Sequence, residues 1–130
     1  LRAAATYAPQ FWVFYDLGRA YQATGRLGRA IDAYEQARSL ENRPEVLTAL
    51  AGALLLQGDL AAGIRLAQEA ARLNPDYPEA YVSLGYAALR QGRAADAVRY
   101  YRRALELRPD LAPARLGLGR ALEAAGASPR

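Results

Sequence analysis

Four glycines divide the chain at nearly equal intervals. Gly25, Gly58, Gly92 and Gly126 lie 33, 34 and 34 residues apart. A fixed period of this length is typical of repeat proteins, in which each repeat is one supersecondary unit that buries its apolar face against its neighbours. We therefore expect the 130 residues to form a single repeat domain.

The first half of each period has the spacing of an amphipathic helix. In the first period, Phe14, Leu17, Gly18 and Tyr21 occupy positions i, i+3, i+4 and i+7, which share one helix face. The same spacing starts again at residues 47, 81 and 115. We expect these residues and their equivalents to face the core.

The second half of each period has small residues at helical spacing. Ala30 and Ala37 flank Tyr34, and the pattern returns from residues 63 and 97. Small side chains let two helices approach closely, because the distance between helix axes depends on the residues at the contact. This predicts a second helix that packs on the first, so that each period forms a helix pair.

The alternation of large and small residues holds through three successive units, and two of them end in Asn74-Pro75 and Arg108-Pro109. This pattern resembles the tetratricopeptide repeat (TPR) family. The first unit departs slightly, since Asn42 stands where the others have proline and Pro44 follows two residues later. The resemblance implies an all-α fold, a right-handed α-solenoid of helix-turn-helix repeats.

Glycine and proline predict the boundaries, because Pro44, Pro78 and Pro113 suit the first turn of a helix and the period glycines suit tight turns. The expected helices cover residues 11–24, 27–40, 44–57, 60–73, 78–91, 94–107 and 112–125. We expect repeat 1 at 11–43, repeat 2 at 44–77 and repeat 3 at 78–111. Residues 1–10 are predicted as the tail of a preceding helix, and 112–130 as a terminal helix that is either a cap or a truncated repeat.

The residue inventory excludes most catalytic chemistry. The chain has no Cys, His or Met, and all 17 of its basic residues are Arg. Thiolate nucleophiles, His-based triads, Cys/His zinc sites and Schiff-base lysines are therefore excluded. Acidic pairs such as Asp32 and Glu35 have no His, Cys or Lys neighbour that could tune them. We predict a non-catalytic protein that uses no cofactor and no metal.

The basic residues are unevenly distributed and carry some information about the source. The net charge is +4, and residues 81–130 hold nine Arg against four acidic residues. Arginine without lysine is typical of GC-rich codon usage, which suggests a bacterial origin, in the cytoplasm or periplasm. Because the chain begins with Leu1, we expect a segment of a longer protein. It carries no targeting signal and no apolar run long enough to insert into a membrane.

A second set of helix faces remains once the core positions are assigned. The resemblance to the TPR family implies that these faces line a concave groove. Several of their residues are apolar or aromatic where a solvated helix usually carries charge, which favours a binding role. The candidate groove residues are Trp12, Tyr15, Asp16, Arg19, Gln22, Thr48, Ala49, Gly52, Leu55, Val82, Ser83, Tyr86, Leu89 and Arg90.

The composition of these faces predicts the ligand. Tyrosine and tryptophan supply rigid contact area, and Arg19 can bind a carboxylate with two hydrogen bonds. Glu45 and Glu79 could receive a basic residue. We expect a peptide or helix segment of another protein, with an apolar anchor and an acidic group near Arg19. An alternative for each aromatic residue is that it covers a seam between helices.

One known TPR activity can be compared by position. Carboxylate-clamp TPR domains, which bind the acidic C-termini of chaperones, use Lys and Asn where this chain has Tyr15, Arg19, Ala49, Glu79 and Ser83. Only Arg19 carries a positive charge, and Glu79 would repel an acidic tail. The sequence therefore disfavours that role.

Two further hypotheses remain open. An uncovered apolar edge at either end of the solenoid would let two copies associate, which predicts a homo-oligomer. The stretch from Arg99 to Arg103, with Arg90, Arg93 and Arg108 nearby, could bind nucleic acid through phosphate contacts and base stacking. However, Tyr101 occupies a core position of the repeat, so nucleic-acid binding is the less favoured hypothesis.

Overall fold

The computed structural model describes the backbone of residues 2–126 and the side chains of residues 9–126. Within this part of the chain there are seven α-helices and no strand. In chain order the helices are α1 (Arg2–Ala23), α2 (Leu27–Leu40), α3 (Pro44–Gln57), α4 (Leu60–Leu73), α5 (Pro78–Arg90), α6 (Ala94–Leu107) and α7 (Ala112–Ala124).

The helices form three pairs and a seventh helix that packs on the last pair. The most extensive contacts are within the pairs α1 with α2, α3 with α4, and α5 with α6. The first helices of successive units also touch one another, α1 with α3, α3 with α5, and α5 with α7, whereas α2, α4 and α6 make no such contacts. The first helices therefore form the inner layer of a curved array. The prediction of an all-α solenoid is confirmed.

Each pair is joined by a turn that needs glycine. Gly58 has a φ of 96°, and Gly25, Gly92 and Gly126 lie in the same left-handed region. Residues with a Cβ rarely adopt that conformation, so glycine ends the helix at little steric cost. After Gly58 the chain reverses at once, because the Asp59 side chain accepts a hydrogen bond from the backbone N–H of Ala62 and caps α4.

The helix bounds follow the predicted ones closely, except at the N-terminus. The ends of α2, α3, α4 and α6 are those expected, and α5 and α7 end one residue earlier. Helix α1 differs, because it continues through Pro9 back to Arg2 instead of starting at residue 11. Alanines 3 to 5 have the highest helix propensity, which offsets the hydrogen bond that Pro9 cannot donate. Residues 2–10, predicted as the tail of a preceding helix, therefore belong to α1. Residues 1 and 127–130 lie outside the described residues.

The apolar core consists of two clusters. The larger cluster extends from Phe11 to Leu84 and includes the fully buried Tyr34 and Leu50. The smaller cluster extends from Ala88 to Ala121 around Tyr101. The half-buried Tyr81 and Tyr100 pack against both clusters. They connect the N-terminal and C-terminal parts of the core.

Two tyrosines pack directly on glycines of neighbouring helices. A Cβ atom on Gly18 would lie 2.5 Å from the Tyr34 ring, and one on Gly85 would lie 2.9 Å from the Tyr101 ring. Tyr101 also packs on Gly117 of α7, where a Cβ would lie 2.3 Å from the ring. The missing side chains of these glycines therefore create the space that the tyrosine rings fill.

Repeat 2 fills the space between its two helices with different residues. Ala51 and Ala67 replace the glycine and the tyrosine, and both are buried. Instead, the buried Leu55 packs on Gly63 of α4, where an added Cβ would lie 2.6 Å from the leucine side chain. The three repeats therefore share a backbone architecture but use two different arrangements of large and small side chains.

The outer face of α1 is not covered by another described helix. Val13 is 61% exposed and Leu17 is 41% exposed, although Leu17 was predicted to lie in the core. Their equivalents in α3, Val46 and Leu50, are fully buried, and α2 packs on that helix. The prediction for Leu17 was wrong because the residue pattern requires a helix on the outer side of α1 that the described residues do not supply.

Candidate functional site

The inner layer of the solenoid contains an open cavity of about 650 Å³, which we call the groove cavity. Helices α3, α5 and α7 form most of it. Its lining residues are Gln22, Gly52, Leu55, Leu56, Val82, Ser83, Tyr86, Leu89, Arg90, Tyr101, Pro113, Leu116, Gly117 and Arg120. This volume is within the range of pockets that bind small molecules or large side chains.

Two leucines of the groove cavity are exposed to solvent. Leu56 of α3 is 53% exposed and Leu116 of α7 is 58% exposed. Val82, Leu89 and Tyr86 of α5 lie between them in the chain and also line the cavity. Exposed apolar residues scattered singly are ordinary, but a concave surface that collects several of them marks an interaction site.

A fixed tyrosine and arginine occupy one side of the groove cavity. The Arg90 Nη1 donates a hydrogen bond of 2.8 Å to the Tyr86 hydroxyl, and the Arg90 guanidinium carbon lies 5.7 Å from the centre of the Tyr86 ring. This contact spans one turn of α5 and restricts both side chains. The contact therefore favours this orientation of the Tyr86 ring in the absence of a ligand.

Two buried tyrosines, Tyr34 and Tyr101, contribute to the groove cavity. Burial raises the pKa of both Tyr101 and Tyr34 to about 12. The Tyr34 hydroxyl donates a hydrogen bond of 3.0 Å to Oε1 of Gln22, which lines the groove cavity. Tyr34 of the core therefore positions the Gln22 side chain. Tyr101, also a core residue, forms part of the cavity wall.

A second, smaller cavity of about 310 Å³ lies near the first turns of α3 and α5. It shares Val82, Ser83 and Pro113 with the groove cavity. The remaining lining residues are Tyr15, Glu45, Thr48, Ala49, Tyr77, Glu79 and Leu111. Burial raises the pKa of Tyr77 to about 12 and that of Tyr15 in the same direction.

The two carboxylates of the smaller cavity already have arginine partners. Arg43 Nε lies 3.4 Å from Oε1 of Glu45, and Arg108 Nη1 lies 2.9 Å from Oε2 of Glu79. The other Glu79 oxygen, Oε1, is buried without a hydrogen-bond partner among the described residues. The expectation that Glu45 and Glu79 receive a basic residue of the ligand is therefore weakened, since each charge is balanced within the domain.

Most of the predicted groove residues line one of these two cavities, but three residues of α1 do not. Trp12 packs edge-on against Phe11 at 4.8 Å and lies 5.0 Å from the Arg43 guanidinium carbon. Asp16 and Arg19 are exposed, and the Arg19 guanidinium carbon lies 5.8 Å from the Tyr15 ring centre. These residues lie at one end of the inner layer, where α1 has a described inner-layer neighbour, α3, on one side only.

Sequence reasoning missed the part of the groove that α7 contributes. Leu116, Gly117 and Arg120 line the groove cavity and were not predicted. The repeat period could have predicted them, because these positions lie 34 residues beyond the predicted Val82, Ser83 and Tyr86. Leu55 was predicted as a groove residue and does line the cavity, but it is almost completely buried and acts mainly in the core.

The basic stretch of α6 is partly neutralised. Arg99 pairs with Asp96, and Arg103 lies 3.4 Å from Glu106 and 3.8 Å from Asp76. Tyr101 is buried and packs on two glycines, so its ring is not available for stacking on a base. Nucleic-acid binding stays a prediction that no feature of this surface favours.

The described part of the chain contains no group of three or more acidic residues that could hold a metal ion. None of the helices α1 to α7 combines the length and apolar character required to cross a bilayer.

Comparison with known proteins identifies the family. A profile of the tetratricopeptide repeat matches residues 15–78, 48–112 and 82–130. The chain belongs to the tetratricopeptide repeat family. TPR domains are in general non-catalytic protein-interaction scaffolds, and this domain has their architecture.

Solved TPR structures superpose closely on this domain. The first TPR domain of Spaghetti (RPAP3), bound to the HSP90 peptide SRMEEVD, is 26% identical with a TM-score of 0.84, covering 92% of this chain and 98% of that one. A thermophilic TPR protein from Thermus thermophilus, TTC0263, is 24% identical with a TM-score of 0.84, covering 90% and 66%. The Sgt2 TPR domain from Aspergillus fumigatus is 24% identical with a TM-score of 0.82, covering 95% and 87%.

A curated relative matches part of the TPR domain. It is a probable biofilm formation methyltransferase, WspC, from Pseudomonas putida, and it is 40% identical over 72 residues. The match covers 55% of this chain and 17% of the length of the relative. The TPR domain therefore corresponds to a small fraction of that protein.

Proposed function

We propose that this TPR domain binds a peptide segment of a partner protein in the groove cavity. The observation that carries the proposal is the pair of exposed leucines, Leu56 and Leu116, which line the same concave cavity from α3 and α7. An apolar side chain of the ligand would remove both leucines from water. The RPAP3 domain, which has a similar fold, is bound to a peptide, and this supports a peptide as the class of ligand.

The mechanism is preorganisation. The cavity walls belong to packed helices, and the Tyr86 ring is held by Arg90 before the ligand arrives. Binding then costs conformational entropy mainly in the ligand. Gly52 has no atom within 4 Å of a Cβ position, so it leaves room in α3 for a large side chain of the partner.

The ligand differs from the acidic chaperone tail that carboxylate-clamp domains bind. At the positions of the clamp, this domain has Tyr15, Ala49 and Glu79 among others. The Glu79 carboxylate lies in the smaller cavity beside the groove cavity and is paired with Arg108, so this position offers no positive contact to a terminal carboxylate. We therefore place the binding contacts in the apolar part of the groove, beyond those positions.

Leu116→Ser should weaken peptide binding by about five- to twentyfold. Full burial of a leucine side chain contributes about 1.5–3 kcal/mol, and Leu116 is 58% exposed before binding, so the substitution should cost about 1–2 kcal/mol of binding free energy. The ligand for the measurement is a peptide selected from a random display library on the immobilised domain. Isothermal titration calorimetry with the synthetic peptide then gives the two dissociation constants.

Leu73→Ser is the matched control for Leu116→Ser. Leu73 is also an exposed leucine of a helix, at 44%, but it lines neither cavity. The control should bind the peptide as tightly as the unmodified domain. Equal affinities for all three proteins, or failure of the library to yield any binder, would overturn the proposal.

A second candidate function is assembly through the ends of the solenoid, with another copy of this chain as the partner. The observation in its favour is the uncovered outer face of α1, where Val13 and Leu17 are exposed although their equivalents in α3 are buried. A second copy placed there would remove these side chains from water.

Static light scattering over a dilution series tests the assembly function. If α1 mediates association, the apparent mass should fall on dilution, and Leu17→Asp should give the monomer mass at every concentration because a charge cannot be buried in an apolar interface without a partner. A monomer mass for the unmodified domain throughout the series would exclude this function and leave the groove proposal untouched.

A further inference from the structure

We infer that the groove cavity selects an acidic segment: an apolar side chain enters the cavity, and a neighbouring aspartate or glutamate side chain of the ligand binds Arg90 and Arg120. The inference rests on the proposed function and adds the charge of the ligand to it. It concerns the part of the groove formed by the C-terminal halves of α5 and α7.

The charges of the cavity are of one sign. Among its lining residues, Arg90 and Arg120 are basic and none is acidic. Within the described part of the chain, no carboxylate lies within 4.0 Å of either guanidinium, whereas Arg43 and Arg108 of the neighbouring region are both paired with glutamates. A ligand carboxylate would supply the counter-charge that the domain itself does not provide.

Arg90 is held in a position that leaves most of its donors available. One N–H group is used for the Tyr86 hydroxyl, and a guanidinium has five N–H donors. Because the Tyr86 contact already restricts the side chain, little additional entropy is lost when a carboxylate binds. The planar guanidinium suits a bidentate contact of this kind.

Arg120 of α7 lines the same cavity as Arg90. Arg120 is exposed and retains its donors for a ligand. Two arginines from adjacent inner helices thus face a single space.

Glu79 of the smaller cavity is too distant to cancel this preference, and Glu123, which lines an adjacent cavity with Arg120, makes no ion pair with it among the described residues. Glu79 is the second residue of α5 and Arg90 is its last, so the two are separated by about 16 Å along the helix axis. Solvent-exposed charges are screened beyond about 8–10 Å at physiological ionic strength. Glu79, which is paired with Arg108, and Arg90 therefore lie beside different parts of a bound segment.

Three pools of synthetic peptides test the inference. Each pool has a fixed central leucine, blocked termini and mixed uncharged residues elsewhere, and the pools differ only in whether Asp, Ser or Lys flanks the leucine. Fluorescence anisotropy should show that the Asp pool binds about tenfold more tightly than the Lys pool, with the Ser pool between them. The difference should decrease at high salt.

The double variant Arg90→Gln/Arg120→Gln should bind the three pools with equal affinity. The control is Arg29→Gln/Arg102→Gln, which removes the same net charge from exposed arginines that line neither cavity. The control should keep the preference for Asp. An unmodified domain that binds all pools equally, or a preference that survives in Arg90→Gln/Arg120→Gln, would overturn the inference and leave the proposed function standing.

A third outcome separates the inference from the function on which it rests. If no pool binds and the display library also yields no binder, the proposed function fails, and the inference fails with it. If the control variant loses the preference for Asp to the same degree, the preference is due to the net charge of the domain, and the assignment to Arg90 and Arg120 is wrong.

Discussion

Gly52→Trp should lower peptide affinity by about a hundredfold or more without loss of stability. Gly52 is a helical residue of α3 that lines the groove cavity, and no atom lies within 4 Å of the position of a Cβ. An indole introduced there can enter the cavity and occupy the space proposed for the anchor of the ligand. The free energy of unfolding should stay equal or rise, because glycine inside a helix is unfavourable by about 0.5–1 kcal/mol relative to alanine. Titration with the selected peptide and thermal unfolding measure the two effects.

Gly28→Trp is the control for the blocked groove. Gly28 is also a helical glycine with open space around it, but it lies on α2 and lines neither cavity. It should bind the peptide like the unmodified domain. If Gly52→Trp binds with undiminished affinity and folds normally, the peptide does not occupy the groove cavity.

Tyr101→Ala should destabilise the domain by about 3 kcal/mol. The ring is almost fully buried and fills the space beside Gly85 and Gly117, so its removal leaves a cavity bordered by two residues without side chains. Large aromatic-to-alanine substitutions in a core cost about 3–5 kcal/mol. The loss should appear as a lower midpoint of urea unfolding. Tyr101→Phe should change little, because no hydrogen bond of this hydroxyl is found among the described residues.

The sequence of repeat 2 suggests how to compensate the loss. Adding Gly85→Ala and Ala97→Gly to Tyr101→Ala gives repeat 3 the small residues of repeat 2, with Leu89 in the place of the buried Leu55. We expect the triple variant to recover at least half of the lost stability, because the second packing arrangement is already used in this fold. Gly85→Ala alone should be destabilising, since its Cβ would lie 2.9 Å from the Tyr101 ring. Additive losses in the triple variant would show that Leu89 cannot move into the vacated space.

Much of the fold could be predicted because its determinants are local. Glycine at a turn and proline in a first helical turn fix helix ends through backbone geometry, and the positions of Gly58 and Pro78 needed no tertiary information. Leu17 is different. Its side chain has the spacing of a core residue, and its exposure depends on whether another helix lies outside α1. The spacing of Leu17 indicates that its side chain suits a contact with another helix. It does not indicate whether that helix is present.

The candidate site was predictable in its central part and less so at its ends. Val82, Ser83 and Tyr86 have an inner helix on both sides, so the periodic assignment places them in the groove cavity. Trp12 is held outside the cavities by Phe11 and the Arg43 guanidinium, contacts that depend on the loop before α3 and have no counterpart in the period. The pairing of Glu79 with Arg108, which lies 29 residues further along the chain, is likewise a tertiary feature.

The division of the core into two clusters has a consequence for the order in which the domain opens. The groove cavity is built from both parts, since Gly52 lies in α3 and Leu116 in α7, and the half-buried Tyr81 and Tyr100 pack against both clusters. In a linear array each unit is stabilised mainly by its neighbours, so we expect α6 and α7, which hold most of the smaller cluster, to open together as one unit. A ligand that bridges α3 and α7 would slow exchange in the C-terminal helices far more than in α1 and α2. A ligand bound in the groove would therefore make the parts of the domain around the two core clusters unfold together instead of separately.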